Sequence, residues 1–193
     1  MEEKAFNLPN SITGIRLMGV PATIWFMLEG QWALATWIFL VASLTDGLDG
    51  FLARKLNQTT AIGAALDTVT DKALCLSVLV VLTSFELVPV WVALAIVVRD
   101  GVIVVGALAY RGMAGHLEIQ PTLLGKANTF AEFAMLALVL GHQAGIVPGE
   151  AWVYPMFWVV FATTVASGMQ YVWIWGKKAR REKRANAPLD GLS

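Results

Sequence analysis

The stretch DGLDGFLARKLNQTTAIGAALDTVTD, residues 46–71, places four aspartates between two long apolar runs. Each run has the length and composition of a membrane-spanning helix. A carboxylate at the centre of such a helix costs about 2.5–3.5 kcal/mol on insertion scales. Four of them in one short stretch therefore predict a polar site inside a membrane protein.

The whole composition agrees with a membrane protein. The chain has 193 residues, of which 57% are hydrophobic and only 15% charged, and its mean hydropathy is +0.64. Soluble domains usually carry about 25% charged residues. We predict an all-α integral membrane bundle of six transmembrane helices at Ile12–Leu28, Trp32–Ala53, Thr60–Thr83, Val88–Tyr110, Leu123–Gly141 and Trp152–Trp175. Residues 1–176 would form this domain, and residues 177–193 a basic, disordered cytoplasmic tail.

The basic residues predict the orientation of the helices. The turns near Leu28–Gln31, Ser84–Leu87 and His142–Glu150 contain no Lys or Arg, while six of the fourteen basic residues lie in Lys177–Arg184. Because Lys and Arg accumulate on the cytoplasmic side of membrane proteins, both termini are expected there. The N-terminal residues lack a signal-peptide pattern, so the first apolar run is expected to remain as an anchor.

The four aspartates form two pairs with helical spacing. Asp46 and Asp49 are three residues apart, and Asp67 and Asp71 are four apart, so each pair shares one helix face. The short connection between the two helices makes them antiparallel neighbours. Asp46 and Asp71 would then lie about 12 Å below the cytoplasmic loop. We expect the four carboxylates to converge in the cytoplasmic half of the membrane.

Four like charges in one place require neutralisation. Carboxylate oxygens suit hard cations such as Mg²⁺, Mn²⁺ or Ca²⁺, and two divalent ions would balance four charges. Two-metal sites of this kind serve phosphoryl transfer. The simpler alternative, pairing with Lys72, Arg54 and Arg99, needs fewer acids than the sequence supplies.

These residues resemble a known family. The pattern Asp46-x2-Asp49-Gly50-x2-Ala53-Arg54-x8-Gly63-x3-Asp67-x3-Asp71 is similar to the signature of the CDP-alcohol phosphotransferases. The family's architecture of six spans with cytoplasmic ends also matches. The resemblance implies attack of an acceptor hydroxyl on the lipid-linked phosphate of a CDP-alcohol, with release of CMP.

The resemblance also implies a role for each residue of the pattern. Asp46, Asp49, Asp67 and Asp71 would hold two Mg²⁺ or Mn²⁺ ions, and Asp71 would also act as general base. The CDP-lipid would be bound by Gly50, Ala53, Arg54, Thr60 and Gly63.

The N-terminal segment NLPNSITGIR resembles the start of the phosphatidyltransferase branch. Asn10 and Ser11 would cap the first helix, and its N-terminus would face the phosphate. Asn10 and Arg16 would join the CDP-lipid site. The alternative for Arg16 is an interfacial arginine that reaches toward the membrane surface.

Arg99, Arg111 and Lys126 are the candidates for binding the acceptor. Arg99 would either bind an acceptor phosphate or pair with one of the four aspartates, whereas Arg111 is predicted in a loop. Asp100 is displaced by about 100° around the helix from Arg99, so we expect it to face a neighbouring span.

Two stretches, VVRDGVIVVGALAYR and IQPTLLGKANTF, resemble the CMP-forming cardiolipin synthases. The phosphatidylglycerophosphate synthases usually carry an Arg-Glu pair and a Lys-Trp-Lys-Thr-like segment where this chain has Arg99-Asp100 and Lys126-Ala127-Asn128-Thr129. The acceptor phosphatidylglycerol is therefore favoured over glycerol 3-phosphate. Inositol phosphate and serine are less favoured.

The resemblance implies CDP-diacylglycerol as donor, a membrane-lipid environment, a homodimer and no nucleic-acid partner. The predicted location is a bacterial inner membrane, crossed several times, with the active site on the cytoplasmic side. A transporter or metal channel is the rival class. Acids lining a cation path would be expected near both faces of the membrane, and here they cluster toward one.

Overall fold

The computed structural model describes residues 8–55, 61–114, 122–147 and 149–185, with side chains for residues 18–45, 72–106, 122–147 and 149–177. Over these ranges the chain is helical and contains no strand, which confirms the all-α prediction. The helices are α1 (Leu8–Leu28), α2 (Trp32–Lys55), α3 (Ala61–Ser84), α4 (Val90–Ala114), α5 (Leu123–Gln143) and α6 (Glu150–Ala185). Each overlaps one of the six predicted spans.

The start of α1 differs from the prediction. The helix already includes Leu8, so Asn10 and Ser11 lie inside its first turn rather than at a cap. Pro9 explains the difference, because its fixed φ and missing N–H are compatible with the first turn of a helix.

Two helices continue beyond their predicted ends. α4 runs to Ala114, which places Arg111 in a helix and not in a loop. α6 runs to Ala185 and so includes the basic cluster where we expected a disordered tail to begin. Lys, Arg, Glu and Ala all favour helix, and basic residues near a helix C-terminus interact well with its dipole.

Two of the described helices are long and apolar enough to cross a membrane. They are Leu123–Gln143, with 21 residues, and the 28-residue Glu150–Lys177 part of α6. Shorter apolar helical runs occur at Met18–Leu28, Trp32–Thr45 and Lys72–Ser84. Large apolar side chains also face outward, among them Trp25, Trp37 and Trp158, each more than half exposed. These features indicate association with a membrane, while the crossing of all six helices remains a prediction.

The hydroxyl groups of the apolar helices bond to carbonyls of their own helix. Thr23 donates to the carbonyl of Gly19 at 2.8 Å, and Ser43 to that of Phe39 at 2.7 Å. Thr36, Thr45 and Thr83 each donate to the carbonyl four residues earlier. Such bonds satisfy a polar group without water, as a helix in hydrocarbon requires.

The described chain divides into two compact units. The first contains α1, α2, α3, the later part of α5 and the first turns of α6. Here α1 packs against both α2 and α3, and α2 contacts α3, as their short connection predicted. Phe39 of α2 lies against Phe133 of α5, with ring centroids 6.0 Å apart. Its core is closed by fully buried Met27, Val78 and Leu140.

The second unit contains α4 from Trp91, the first part of α5 and the rest of α6. Aromatic rings join α4 and α6 at one end, where Trp91 lies 4.9 Å from Trp158 and 5.1 Å from Phe161 between ring centroids. Its fully buried residues include polar Asn128 and Ser167.

Three helices end in the same C-terminal cap. After α1, the N–H of Gly30 bonds to the carbonyl of Met27, and that of Gln31 to the carbonyl of Phe26. α3 and α5 repeat this pair of bonds, which defines the Schellman motif. The motif needs a left-handed residue, supplied by Gly30 (φ 71°) and Gly145 (φ 69°), but by Glu86 (φ 59°) after α3.

Replacing Glu86 with glycine should stabilise the protein. A residue with a β-carbon in the left-handed region costs about 1–2 kcal/mol relative to glycine. Glycine removes this strain, but it also increases the conformational entropy of the unfolded chain, which offsets part of the gain. We expect Glu86→Gly to raise the free energy of unfolding by about 0.5–1 kcal/mol, measured by denaturant unfolding in detergent. Glu86→Ala, which keeps the β-carbon, is the control, and an equal gain in both variants would assign the effect to charge.

Candidate active site and acceptor site

The structure places the four aspartates on two helices that contact each other. Asp46 and Asp49 lie in α2, and Asp67 and Asp71 in α3, so the predicted spacings fall on continuous helices. Their carboxylates lie outside the described side chains, as do the side chains of Asn10, Arg16, Gly50, Ala53, Arg54, Gly63 and Arg111. Thr60 lies outside the described residues altogether. The convergence of the four carboxylates therefore remains a prediction.

The four aspartates of these helices are chemically suited to bind a divalent cation, since carboxylate oxygens are the ligands that hard cations prefer. Among the side chains that the structure does describe, no three His, Cys, Asp or Glu residues come together in a way that could hold a metal.

α4 and α6 run parallel in the second unit. Three contacts along them join Trp91 to Trp158, Arg99 to Ser167 and Gly106 to Trp175. The two residue numbers in these contacts differ by 67, 68 and 69, so the register of the two helices changes by only two residues over several turns.

α5 runs in the opposite direction to α6. The hydroxyl of Tyr171 lies 3.4 Å from the N–H of Thr122, and the side chain of Thr164 bonds to Asn128 at 2.9 Å. Residue numbers thus rise along α5 as they fall along α6. Three consecutive crossings of a membrane would give this alternation of directions.

Arg99 is buried at the contact of α4 with α6. Its side chain is only 7% exposed, and Nη2 donates to Ser167 Oγ at 3.2 Å. Nη1 lies 2.7 Å from Asp100 Oδ1, although we expected Asp100 to face away from Arg99. The expected separation of the two side chains was wrong because the long arginine side chain can bend back to its neighbour. The pairing is favourable because a buried cation without a counter-charge is costly.

Tyr171 connects Arg99 to the start of α5. The Arg99 guanidinium carbon lies 6.0 Å from the centroid of the Tyr171 ring, and the Tyr171 hydroxyl accepts from Thr122 N–H. Thr122 also caps the helix, since its Oγ1 accepts from the N–H of Gly125 at 3.0 Å. A methyl group on Gly125 would lie 3.1 Å from the Tyr171 hydroxyl, a tight contact that a glycine avoids.

This connection joins two of the three predicted acceptor residues. Lys126, exposed in the first turn of α5, follows Gly125 directly, and Arg99 reaches the same turn through Tyr171. Sequence reasoning missed both Tyr171 and Ser167, because each is an isolated residue in the apolar run of α6. The available signal was the cap Thr122-x-x-Gly125, which marks the start of α5.

Asn128 holds α5 against α6. It is fully buried, and its Oδ1 accepts hydrogen bonds from the hydroxyls of Thr163 at 2.8 Å and Thr164 at 2.9 Å. The polar residues of the segment 126–129 thus divide between solvent, which Lys126 faces, and the helix contact, which Asn128 makes.

Over the described residues, the fold is all-helical, with apolar helices of membrane-spanning length and an aspartate-rich helical pair. The sequence profile described as CDP-alcohol phosphatidyltransferase matches residues 6–170. The chain therefore belongs to the CDP-alcohol phosphatidyltransferase family. It is an enzyme, a transferase of phospholipid biosynthesis, and the family uses divalent metal ions.

Individual relatives match over most of their lengths. The chain is 32% identical to a CDP-diacylglycerol–glycerol-3-phosphate 3-phosphatidyltransferase of Bacillus subtilis, with 86% of this chain and 93% of that protein aligned. It is 31% identical to a CMP-forming cardiolipin synthase of Streptomyces coelicolor, over 97% of this chain and 89% of that protein. A CMP-forming cardiolipin synthase of Homo sapiens is 29% identical over 88% of this chain and 62% of its own length.

Removing the amide of Asn128 should loosen the contact between α5 and α6. Asn128→Ala loses two buried hydrogen bonds and leaves a small cavity, so we expect the free energy of unfolding to fall by about 2–3 kcal/mol. Denaturant unfolding in detergent measures this change. Thr129→Ala is the matched control, because Thr129 bonds only to the Gly125 carbonyl of its own helix among the bonds described. Equal losses in the two variants would contradict the special role of Asn128.

Proposed function

We propose that this enzyme transfers the phosphatidyl group of CDP-diacylglycerol to a glycerol-type hydroxyl and releases CMP. The observation that carries the proposal is the aspartate motif, which lies on two contacting helices inside the region that matches the family. Relatives named for this chemistry align over most of their lengths.

In the proposed site, Asp46, Asp49, Asp67 and Asp71 would hold Mg²⁺ or Mn²⁺. Bound divalent ions would neutralise the pyrophosphate and stabilise CMP as it leaves. Asp71 would take the proton of the acceptor hydroxyl, and its value lies in placement, since a carboxylate beside cations is a weak base. Gly50, Ala53, Arg54, Thr60 and Gly63 would bind the CDP group, with Asn10 and Arg16 near the lipid phosphate.

For the acceptor we propose phosphatidylglycerol, which would make the product cardiolipin. The residue types at Arg99-Asp100 and Lys126–Thr129 support this choice. Relatives named as a glycerol-3-phosphate 3-phosphatidyltransferase and as a cardiolipin synthase are almost equally similar to the chain, so glycerol 3-phosphate is the second candidate.

Three cationic residues would form the acceptor site. Lys126 and Arg111 would bind the acceptor phosphate directly. Arg99 would act mainly on the position of this site, because its guanidinium is already held by Asp100 and Ser167 and touches Tyr171, which in turn contacts the start of α5.

We also propose that all six helices cross a bacterial inner membrane, with both termini and the active site on the cytoplasmic side, and that the enzyme is a homodimer. The alternating directions of α4, α5 and α6 support serial crossing. The basic end of α6 supports the orientation, because Lys and Arg favour the cytoplasmic side.

A product assay tests the reaction and the acceptor together. Purified protein is incubated with CDP-diacylglycerol and Mg²⁺ or Mn²⁺, with phosphatidylglycerol and glycerol 3-phosphate offered in parallel. We expect CMP and cardiolipin, and a loss of at least about a hundredfold in turnover for Asp71→Asn, the scale of general-base catalysis. Glu86→Gln, an exposed carboxylate outside the motif, should retain activity.

The possible outcomes separate the parts of the proposal. Phosphatidylglycerophosphate from glycerol 3-phosphate would keep the reaction and replace the acceptor. Turnover near wild type in Asp71→Asn would refute its role as base. No CMP with any acceptor hydroxyl of the family would refute the proposed reaction for this chain.

The metal role of Asp49 has a separate test that needs no turnover. Asp49→Ala removes one carboxylate ligand, so we expect Mn²⁺ binding in titration calorimetry to weaken by roughly tenfold or more. CDP-lipid binding should weaken with it, because the two share the pyrophosphate. Unchanged Mn²⁺ binding would show that Asp49 is not a ligand.

A further inference from the structure

An open groove lies between α4 and α6 on the surface of the second unit. Its volume is about 520 Å³, and its lining is almost wholly apolar. Val98, Arg99 and Val102 line it from α4, and Gly168, Met169 and Val172 from α6. Val98, Met169 and Val172 are each more than half exposed, so the groove opens outward rather than into the core.

One polar group of the groove lacks a partner. Arg99 is nine-tenths buried, and both of its Nη atoms are engaged, Nη1 with Asp100 and Nη2 with Ser167. Its Nε is buried and has no hydrogen-bond partner. Buried N–H groups are nearly always bonded, and Arg99 lines the groove, so an acceptor oxygen of a ligand bound there would satisfy this donor.

A cation stands at one end of the groove. Trp173 lines that end and is 66% exposed, and Lys177 Nζ lies 5.2 Å from the centroid of its ring. Tryptophan and lysine together are typical of the level at which lipid headgroups begin. Along α6, Trp173 lies five residues beyond Gly168, which packs against the Arg99 side chain. The rise of a helix converts this to about 7.5 Å.

We propose that the groove binds one anionic diacyl phospholipid. The phosphate lies at Lys177, an acyl ester carbonyl accepts from Arg99 Nε, and the acyl chain continues along α4 and α6 toward Ala95 and Val165. Along the groove, the cation is followed by the buried donor and then by the apolar channel. The parts of a phospholipid that would meet them come in the same order: phosphate, ester and hydrocarbon.

The same features argue against other occupants. A soluble anion would leave the apolar walls of the groove uncovered, and the walls offer such an anion no hydrogen-bond donor besides Arg99. A helix of a second copy would cover the walls, but its backbone carbonyls are engaged in its own hydrogen bonds, so it could pair with Arg99 Nε only through a polar side chain placed at this depth. An ester carbonyl on a flexible chain meets both requirements.

Native mass spectrometry of the full-length, delipidated protein tests the site. The probe is dioleoyl phosphatidic acid, which has no acceptor hydroxyl, so binding is measured without turnover and independently of the proposed reaction. Val102→Phe narrows the groove, and Val105→Phe adds the same bulk on the exposed part of α4 outside it. We expect one tightly bound lipid in wild type and in Val105→Phe, and affinity lower by roughly tenfold in Val102→Phe, as if two methylenes were displaced.

Two further comparisons test the polar contacts. Ether-linked phosphatidic acid lacks the ester carbonyls and should bind wild type roughly fivefold more weakly, as expected for the loss of one hydrogen bond. Lys177→Gln should weaken binding, while Lys178→Gln, which removes an equal charge one residue later, should not.

Other results would overturn the proposal. If Val102→Phe and Val105→Phe bound lipid equally well, the groove would not be the lipid-binding site. If ester and ether lipids bound equally well, the proposed hydrogen bond from Arg99 Nε to an ester carbonyl would be refuted. The same spectra report oligomeric state, and a dimer lost in Val102→Phe with lipid binding unchanged would assign the groove to a second copy of the chain.

Discussion

The structure depends on one constraint, which is that polar groups in apolar helices must find partners within the protein. The hydroxyls of Thr23, Thr36 and Ser43 meet it locally by bonding to the carbonyl four residues earlier. Larger polar groups cannot do so and bond to other helices instead. Asn128 reaches Thr163 and Thr164, and Arg99 reaches Ser167. The contacts of α6 with α4 and α5 are built around these bonds.

The same polar contacts link packing to chemistry. The Arg99 guanidinium makes three kinds of contact: Asp100 and Ser167 bond to its Nη atoms, the Tyr171 ring lies beside it, and the residue lines the groove between α4 and α6. The Tyr171 hydroxyl in turn accepts a hydrogen bond from Thr122, the residue that caps α5 next to exposed Lys126. If the acceptor site lies at the start of α5 as proposed, a change in the groove would alter it, because Arg99 contacts both the groove and Tyr171.

The segment 126–129 shows why the acceptor is harder to infer than the reaction. Its departure from the Lys-Trp-Lys-Thr-like pattern favours phosphatidylglycerol, yet Asn128 is fully buried and bonded to α6, and Thr129 bonds to Gly125. Residue identity there reflects helix packing as well as ligand recognition. The aspartate motif carries no such double role, since four carboxylates at helical spacing have little use in packing against hydrocarbon.

The sequence by itself determined the number and approximate ends of the helices in the described ranges, and the spacing of the aspartate motif, because both depend on residues close together in the chain. It misplaced the ends of α4 and α6, where the apolar pattern stops but helix-favouring basic residues continue. Only the tertiary structure decided that Arg99 pairs with Asp100 and Ser167 and that Tyr171 meets Thr122. The contacts of Arg99 with Ser167 and of Tyr171 with Thr122 join residues far apart in the chain. They depend on the register of packed helices, which side-chain shape fixes and local sequence does not encode. The pairing of Arg99 with its neighbour Asp100 depends on the burial of the guanidinium, which also comes from the packing.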